Sequence, residues 1–138
     1  MKGIDSVIRL QKWQVDEQRR QVADLEGLLM DLTQRAQALE QEILKEQEVA
    51  ADQNVAFIYG NYVRHAISRR ETLQRSIVDA EVAAVAARDV LTELYQDMKR
   101  YEIAKDRHDA RQALKENRAE QAELDDIALK MHRRKKTG

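Results

Sequence analysis

Histidine is the side chain that most often performs acid–base chemistry or binds a metal near neutral pH. The chain has three, His65, His108 and His132. No two of them stand three or four residues apart, the spacing that would place two ligands on one helix face. Asp106 and Asp109 lie close to His108 in sequence, but on other faces of a helix. We therefore predict no metal site and interpret the histidines as surface or interhelical residues.

Glycine and cysteine usage excludes further kinds of chemistry. The glycines at 3, 27, 60 and 138 are isolated, so no glycine-rich loop is present to bind a phosphate. Without cysteine there is no thiolate nucleophile, disulfide or cysteine-based metal site. No set of residues supplies a nucleophile, a base and oxyanion donors together. The sequence thus predicts a protein that is not an enzyme and needs no cofactor.

Composition points to long helices in place of a compact globule. Proline is absent, 36% of the residues are charged and 4% are aromatic, which is typical of coiled coils. Lys plus Arg number 24 and Asp plus Glu number 25, so no net charge favours nucleic acid as a partner. No apolar run of the length needed to span a bilayer is present, and residues 1–5 lack a secretory signal. We expect a cytoplasmic protein that is not inserted in a membrane.

Apolar residues recur every seven positions in the first half of the chain. A companion series three residues further on is apolar from residue 25 to residue 39, so the two together form a narrow apolar seam on a helix. The series comprises Ile8, Val15, Val22, Leu29, Ala36, Ile43 and Ala50, with companions Leu25, Leu32 and Leu39.

A second seam follows in the other half. Its two series are apolar except at Arg70, and they lose register near residue 105. They comprise Val63, Arg70, Ile77, Ala84, Leu91 and Met98, with companions Ala66, Leu73, Ala80, Ala87, Leu94 and Tyr101.

The Gly60-Asn61 pair separates the two seams, and both residue types tolerate the left-handed conformation at a helix end. We predict an all-α fold in which two long helices form one antiparallel coiled-coil hairpin, with the second helix longer than the first. The expected bounds are about 5–56 for helix one, 57–61 for the turn and 62–132 for helix two, followed by a basic tail at 133–138. A turn there pairs Ile43 with Ile77 and leaves about twenty residues of helix two without a partner.

Aromatic and basic residues suggest contacts with other proteins. Trp13, the only tryptophan, either packs on the partner helix or anchors a partner protein. The aromatic cluster of Phe57, Tyr59 and Tyr62 either caps the hairpin or forms a docking tip. The basic run at 130–136 favours a solvated helix end. The alternatives are an acidic partner surface and nucleic acid, but no aromatic residues for base stacking are interleaved.

The last part of the chain resembles the closing motif of the flagellar export family FliJ. In that motif an Arg and a Gln precede a Leu-Asp-acid-apolar-Ala group and a basic end. The matching residues here are Arg118, Gln121, Leu124, Asp125, Asp126, Ile127 and Ala128. The opening run from Ile8 to Trp13, followed by two acidic and two arginine residues, is similar to the first helix of the family.

This resemblance implies a component of the flagellar type III export apparatus, located in the cytoplasm at the base of the flagellum. Family members are similar to a rotary-ATPase stalk, insert the end carrying both termini into the hexameric export ATPase, contact the membrane-embedded export gate protein and are linked to export chaperones. The resemblance assigns protein binding to Ile8, Trp13, Arg118, Gln121, Leu124, Asp125 and Ile127, and we add Phe57, Tyr59 and Tyr62 as a second contact.

The sequence also fits two other interpretations. A stalk protein of a virulence-type secretion system would share the same physical features. An unrelated structural tether would show one continuous heptad register and no turn.

Overall fold

The computed structural model describes the backbone of residues 3–52 and 56–137 and the side chains of residues 3–51 and 59–136. Helix α1 spans Ile4–Asp52 and helix α2 spans Ala56–Thr137, and they pack against each other as a hairpin. No strand occurs in these two ranges. The predicted all-α hairpin with a longer second helix is confirmed.

Local sequence explains how the helices begin and end. Gly3 precedes α1 with φ of +100°, a conformation that side chains disfavour, and its carbonyl accepts a 3.1 Å hydrogen bond from the Val7 N–H. Asp5 lies in the first turn of α1, where the helix dipole favours negative charge. Arg134, Lys135 and Lys136 lie in the last turn of α2, where it favours positive charge.

The predicted turn at 57–61 is wrong, because α2 already begins at Ala56. Gly60 and Asn61 are inside the helix, and Gly60 has no positive φ. A glycine permits the left-handed conformation without requiring it, and one helical glycine costs only about 1 kcal/mol relative to alanine. The residues between the helices, 53–55, lie outside the described residues.

Contacts divide the chain into two units, which we describe separately. One unit is Trp13–Leu94, and we call it the hairpin unit. The other combines Met1–Lys12 with Tyr95–Gly138, and we call it the terminal unit.

The core of the hairpin unit joins larger residues of α1 to alanines of α2. Its buried residues from α1 are Val15, Val22 and Leu39, and those from α2 are Ala66, Ala80, Ala84 and Ala87. All seven stand at predicted seam positions. Because alanine has no atoms beyond Cβ, the Gln18 side-chain amide reaches the carbonyl oxygen of Ala87 and donates a 2.9 Å hydrogen bond to it. Small residues on one helix thus leave room for a polar contact across the seam.

Ion pairs between the helices show which residues of the hairpin unit face each other. Arg70 donates two hydrogen bonds, of 2.6 and 2.9 Å, to the Glu40 carboxylate. Arg88 donates a single hydrogen bond of 3.1 Å to the Glu26 carboxylate. Ile43 lines a small cavity together with residues 59–70 of α2, so its expected pairing with Ile77 is wrong. The pairing is shifted because Gly60 lies inside α2 and is not the point where the chain reverses.

The terminal unit has a smaller core and its own ion pairs. Ile8 of α1 and Met98 of α2 are its buried apolar residues among those described. Asp5 contacts Lys105 at 2.5 Å, and this contact holds the pKa of Asp5 below, and that of Lys105 above, their usual values. The last half-buried residue of α2 is His108, so the pairing of the two helices ends there.

Candidate protein-binding site

The remainder of α2, from residue 111 to residue 136, is exposed on every face. We call this segment the extension. At about 1.5 Å per residue it is about 39 Å long. A helix in water is normally held by packing one face against other elements, and the extension packs against none within the described chain.

An apolar stripe follows one face of the extension. Leu124, Ile127 and Met131 stand three and then four residues apart, which places them on one side of a helix. They are 60%, 47% and 62% exposed. Full burial of a leucine-sized side chain contributes about 1.5–3 kcal/mol, and much of this contribution is not realised for the stripe within the described chain.

A polar stripe lies beside the apolar one. Arg118, Gln121 and Asp125 repeat the same spacing of three and four residues, about 100° around the helix from Leu124. The Gln121 side-chain amide donates a 3.1 Å hydrogen bond to the Asp125 carboxylate. A partner would therefore meet an apolar strip with a hydrogen-bonded polar strip along its edge.

Charge along the extension comes in blocks. Residues 120–126 contain four acidic residues and no basic one, whereas residues 130–136 contain five basic residues, from Lys130 to Lys136, and no acidic one. An ion pair joins the blocks, between Asp126 and Lys130 at 3.1 Å. Since the charges are exposed, their contribution to binding should depend on salt.

The two N-terminal site residues differ in exposure. Trp13 is 59% exposed, so most of its ring is available to a partner. Ile8 is 7% exposed and packs inside the terminal unit. Five of the seven residues that the resemblance assigned to the first contact lie in the extension, and all five are exposed.

Tyr59 and Tyr62 stack, with ring centroids 6.5 Å apart and an interplanar angle of 26°. Both are half-buried and line the small cavity that Ile43 of α1 completes. Burial, and then the nearby carboxylates of Glu42 and Glu46, raise the pKa of the Tyr62 hydroxyl. The rings therefore pack partly between the helices and remain partly exposed. The side chain of Phe57, the third member of the cluster, lies outside the described residues.

Sequence reasoning missed an apolar face in the hairpin unit. Val78, Val82 and Val85 are 56%, 65% and 53% exposed and lie on the side of α2 opposite its alanine seam. Their spacing of four and three residues is the signal that could have revealed them. It went unnoticed because the neighbouring alanine series already accounted for the apolar content of this stretch.

The described ranges contain neither a metal-binding cluster nor a membrane-spanning helix. No group of three or more His, Cys, Asp or Glu side chains there could hold a metal ion. Within residues 3–52 and 56–137, neither helix has an apolar stretch long enough to cross a bilayer.

Two packed antiparallel helices, one of which continues as an uncovered helical segment, define the chain as a coiled-coil hairpin protein. A family model with the description "Flagellar FliJ protein" matches residues 1–137. The chain therefore belongs to the FliJ family and is a coiled-coil protein related to flagellar export. No curated protein and no solved structure gives a significant match.

Fold and family membership distinguish this protein from a structural tether and from a virulence-type stalk protein. The tether with one continuous register is excluded by the hairpin. The virulence-type stalk is disfavoured because the matching family is flagellar.

Proposed function

We propose that the chain is a non-enzymatic, stalk-like component of the flagellar type III export apparatus that binds the hexameric export ATPase through the extension. Its location would be the cytoplasm at the base of the flagellum. Membership of the FliJ family supports the role in export. Exposure of the whole extension, residues 111–136, supports the choice of surface and is the observation on which the proposal rests.

The two stripes suit a ring of subunits. An isolated helix exposes all its faces, so different subunits can contact different sides of it at once. The apolar stripe from Leu124 to Met131 would bind hydrophobic residues of one subunit, while Arg118 and Asp125 exchange hydrogen bonds with another. An interface built on a single helix is small, so we expect transient binding that weakens with salt.

A second contact would use the part of the hairpin unit around Tyr59 and Tyr62. Members of the family that the chain resembles use the second helix just after the turn to contact the membrane-embedded export gate protein, although Val63, Arg64 and Ile67 do not match the family's aromatic and aliphatic pattern there. The two tyrosines are partly exposed, and a partly exposed ring can bind a partner without unfolding the hairpin. Phe57 belongs to the same proposal by sequence. Handling of export chaperones is implied by the same resemblance, with no surface assigned to it.

The proposal is tested with the full chain carrying Leu124→Ala together with Asp125→Ala. Both side chains are exposed, so helicity and thermal unfolding should stay unchanged. Association with the purified export ATPase should weaken by about tenfold or more, and stimulation of ATP hydrolysis should fall with it.

A matched control is Leu44→Ala together with Glu48→Ala in α1. Leu44 is 59% exposed, which is close to the 60% of Leu124, and Glu48 is exposed as Asp125 is. The control should bind and stimulate the ATPase like the unmodified chain. Full binding by a folded Leu124/Asp125 variant would contradict the assignment of the extension, and loss of binding by both variants would show a nonspecific effect.

A further inference from the structure

The extension carries self-complementary features that the proposed function does not use. Glu123 and Lys130 stand seven residues apart and therefore lie on the same flank of the apolar stripe. Glu116 precedes them by another seven residues. This flank thus carries two acidic residues, Glu116 and Glu123, followed by the basic residue Lys130.

We infer that the extension also binds the extension of a second copy of this chain, with the two helices antiparallel and centred near Asp126. This inference does not depend on the export ATPase. In that arrangement Glu123 of each copy faces Lys130 of the other, which forms two equivalent ion pairs around the two-fold axis. Isologous contacts of this kind close after two chains and predict a dimer.

The apolar stripe fits the same alignment. With the helices centred near residue 126, Leu124 of one copy meets Ile127 of the other, and the symmetry repeats this layer. Both side chains are about half exposed or more within the chain, so the pairing removes apolar surface from water. Aliphatic layers flanked by opposite charges are the normal composition of an antiparallel coiled coil.

The acidic and basic blocks of the extension favour antiparallel pairing of the two copies over parallel pairing. A parallel pairing in register places the acidic residues of 120–126 beside the same residues of the second copy, and the basic residues of 130–136 beside their own equivalents. The antiparallel pairing brings the acidic block of each copy toward the basic residues that follow residue 129 in the other. Like charges at matching positions destabilise a coiled coil, so the antiparallel form is favoured.

The overlap is short, and so the dimer should be weak. Only Leu124, Ile127 and Met131 supply large aliphatic side chains to it. Interfaces below about 1,200 Å² belong to transient complexes. We expect association that increases with protein concentration and decreases with salt.

Sedimentation velocity of the full chain over a range of concentrations provides the test. The unmodified chain should show a reversible dimer at low salt. Glu123→Lys and Lys130→Glu should each weaken the dimer by about tenfold, because each creates two like-charge pairs. An equimolar mixture of the two variants should restore dimerisation, since one chain then presents lysine at both positions and the other presents glutamate at both.

Controls separate this effect from a loss of helix. Circular dichroism should show equal helicity for both variants, and Glu48→Lys, an exposed reversal in α1, should dimerise like the unmodified chain. A chain that is monomeric at every concentration would overturn the inference. So would variants that still dimerise alone, or a mixture that stays monomeric.

Discussion

Two stretches of the chain place apolar residues along one face of a helix and expose them to different degrees. Leu39 in the hairpin unit is 2% exposed, whereas Leu124 in the extension is 60% exposed. Intrinsic helix propensity does not separate them, because both stretches are rich in Ala, Leu, Glu and Gln. The difference is the presence of a second helix within the chain, so the seam of the hairpin unit is buried while the stripe of the extension stays exposed.

Charged residues show the same contrast. In the hairpin unit, Glu40–Arg70 and Glu26–Arg88 join one helix to the other. In the extension, the ion pair between Asp126 and Lys130 stays within one helix. Exposed pairs of either kind contribute at most about 1 kcal/mol. Ion pairs between helices nevertheless specify which residues of the two helices face each other. An ion pair within one helix does not specify which other helix packs against it.

The largest expected difference is in stability. Leu39→Ala should lower the free energy of unfolding by about 2–3 kcal/mol, because it leaves a cavity in the seam. Leu124→Ala should lower it by less than about 0.5 kcal/mol, because the side chain is already in solvent. Chemical denaturation followed by circular dichroism measures both. Equal losses for the two variants would mean that the extension is packed within the chain, and the comparison would fail.

A smaller change in stability tests whether residue 60 lies within α2. Gly60→Ala should raise the free energy of unfolding by about 0.5–1 kcal/mol, because Gly60 is helical and an added Cβ would meet open space. Gly27→Ala in α1 has the same surroundings and should behave alike. Thermal and chemical unfolding provide the readout. A stability loss at Gly60 with a gain at Gly27 would restore the left-handed turn that the sequence suggested.

Much of the hairpin could be predicted from the sequence. Val22, Leu39, Ala80 and Ala84 are buried at positions that the sevenfold repeat identifies, because a narrow apolar stripe on a helix has few alternatives to packing on another stripe. Arg70, the one charged residue in the second series, turns its head out of the seam to Glu40.

The pairing of the helices could not be predicted in the same way. A heptad seam presents similar residues every seven positions, so the apolar pattern alone accepts several alignments. The choice depends on where the chain reverses and on particular contacts such as that of Gln18 with the Ala87 carbonyl. These contacts appear only when both helices are in place.

The candidate site was predicted in part. An overhang followed from the unequal lengths of the two seams, so the exposure of Leu124 and Ile127 was foreseeable. Ile8 was also assigned to the site by resemblance, yet it is the first member of the buried seam series. The spacing of apolar residues identifies an apolar stripe on a helix. It does not show whether the surface that covers this stripe belongs to the same chain or to another protein.

Hydrogen exchange of the full chain, alone and with excess export ATPase, tests the central claim most directly. The protein should be dilute enough for self-association to be negligible. Alone, amides in residues 111–136 should exchange much faster than those around Leu39, because no packing opposes their local opening. With the ATPase, exchange should slow in residues 111–136 and stay unchanged around Leu39. An extension already protected without the ATPase, or protection by the ATPase confined to the hairpin unit, would contradict the account.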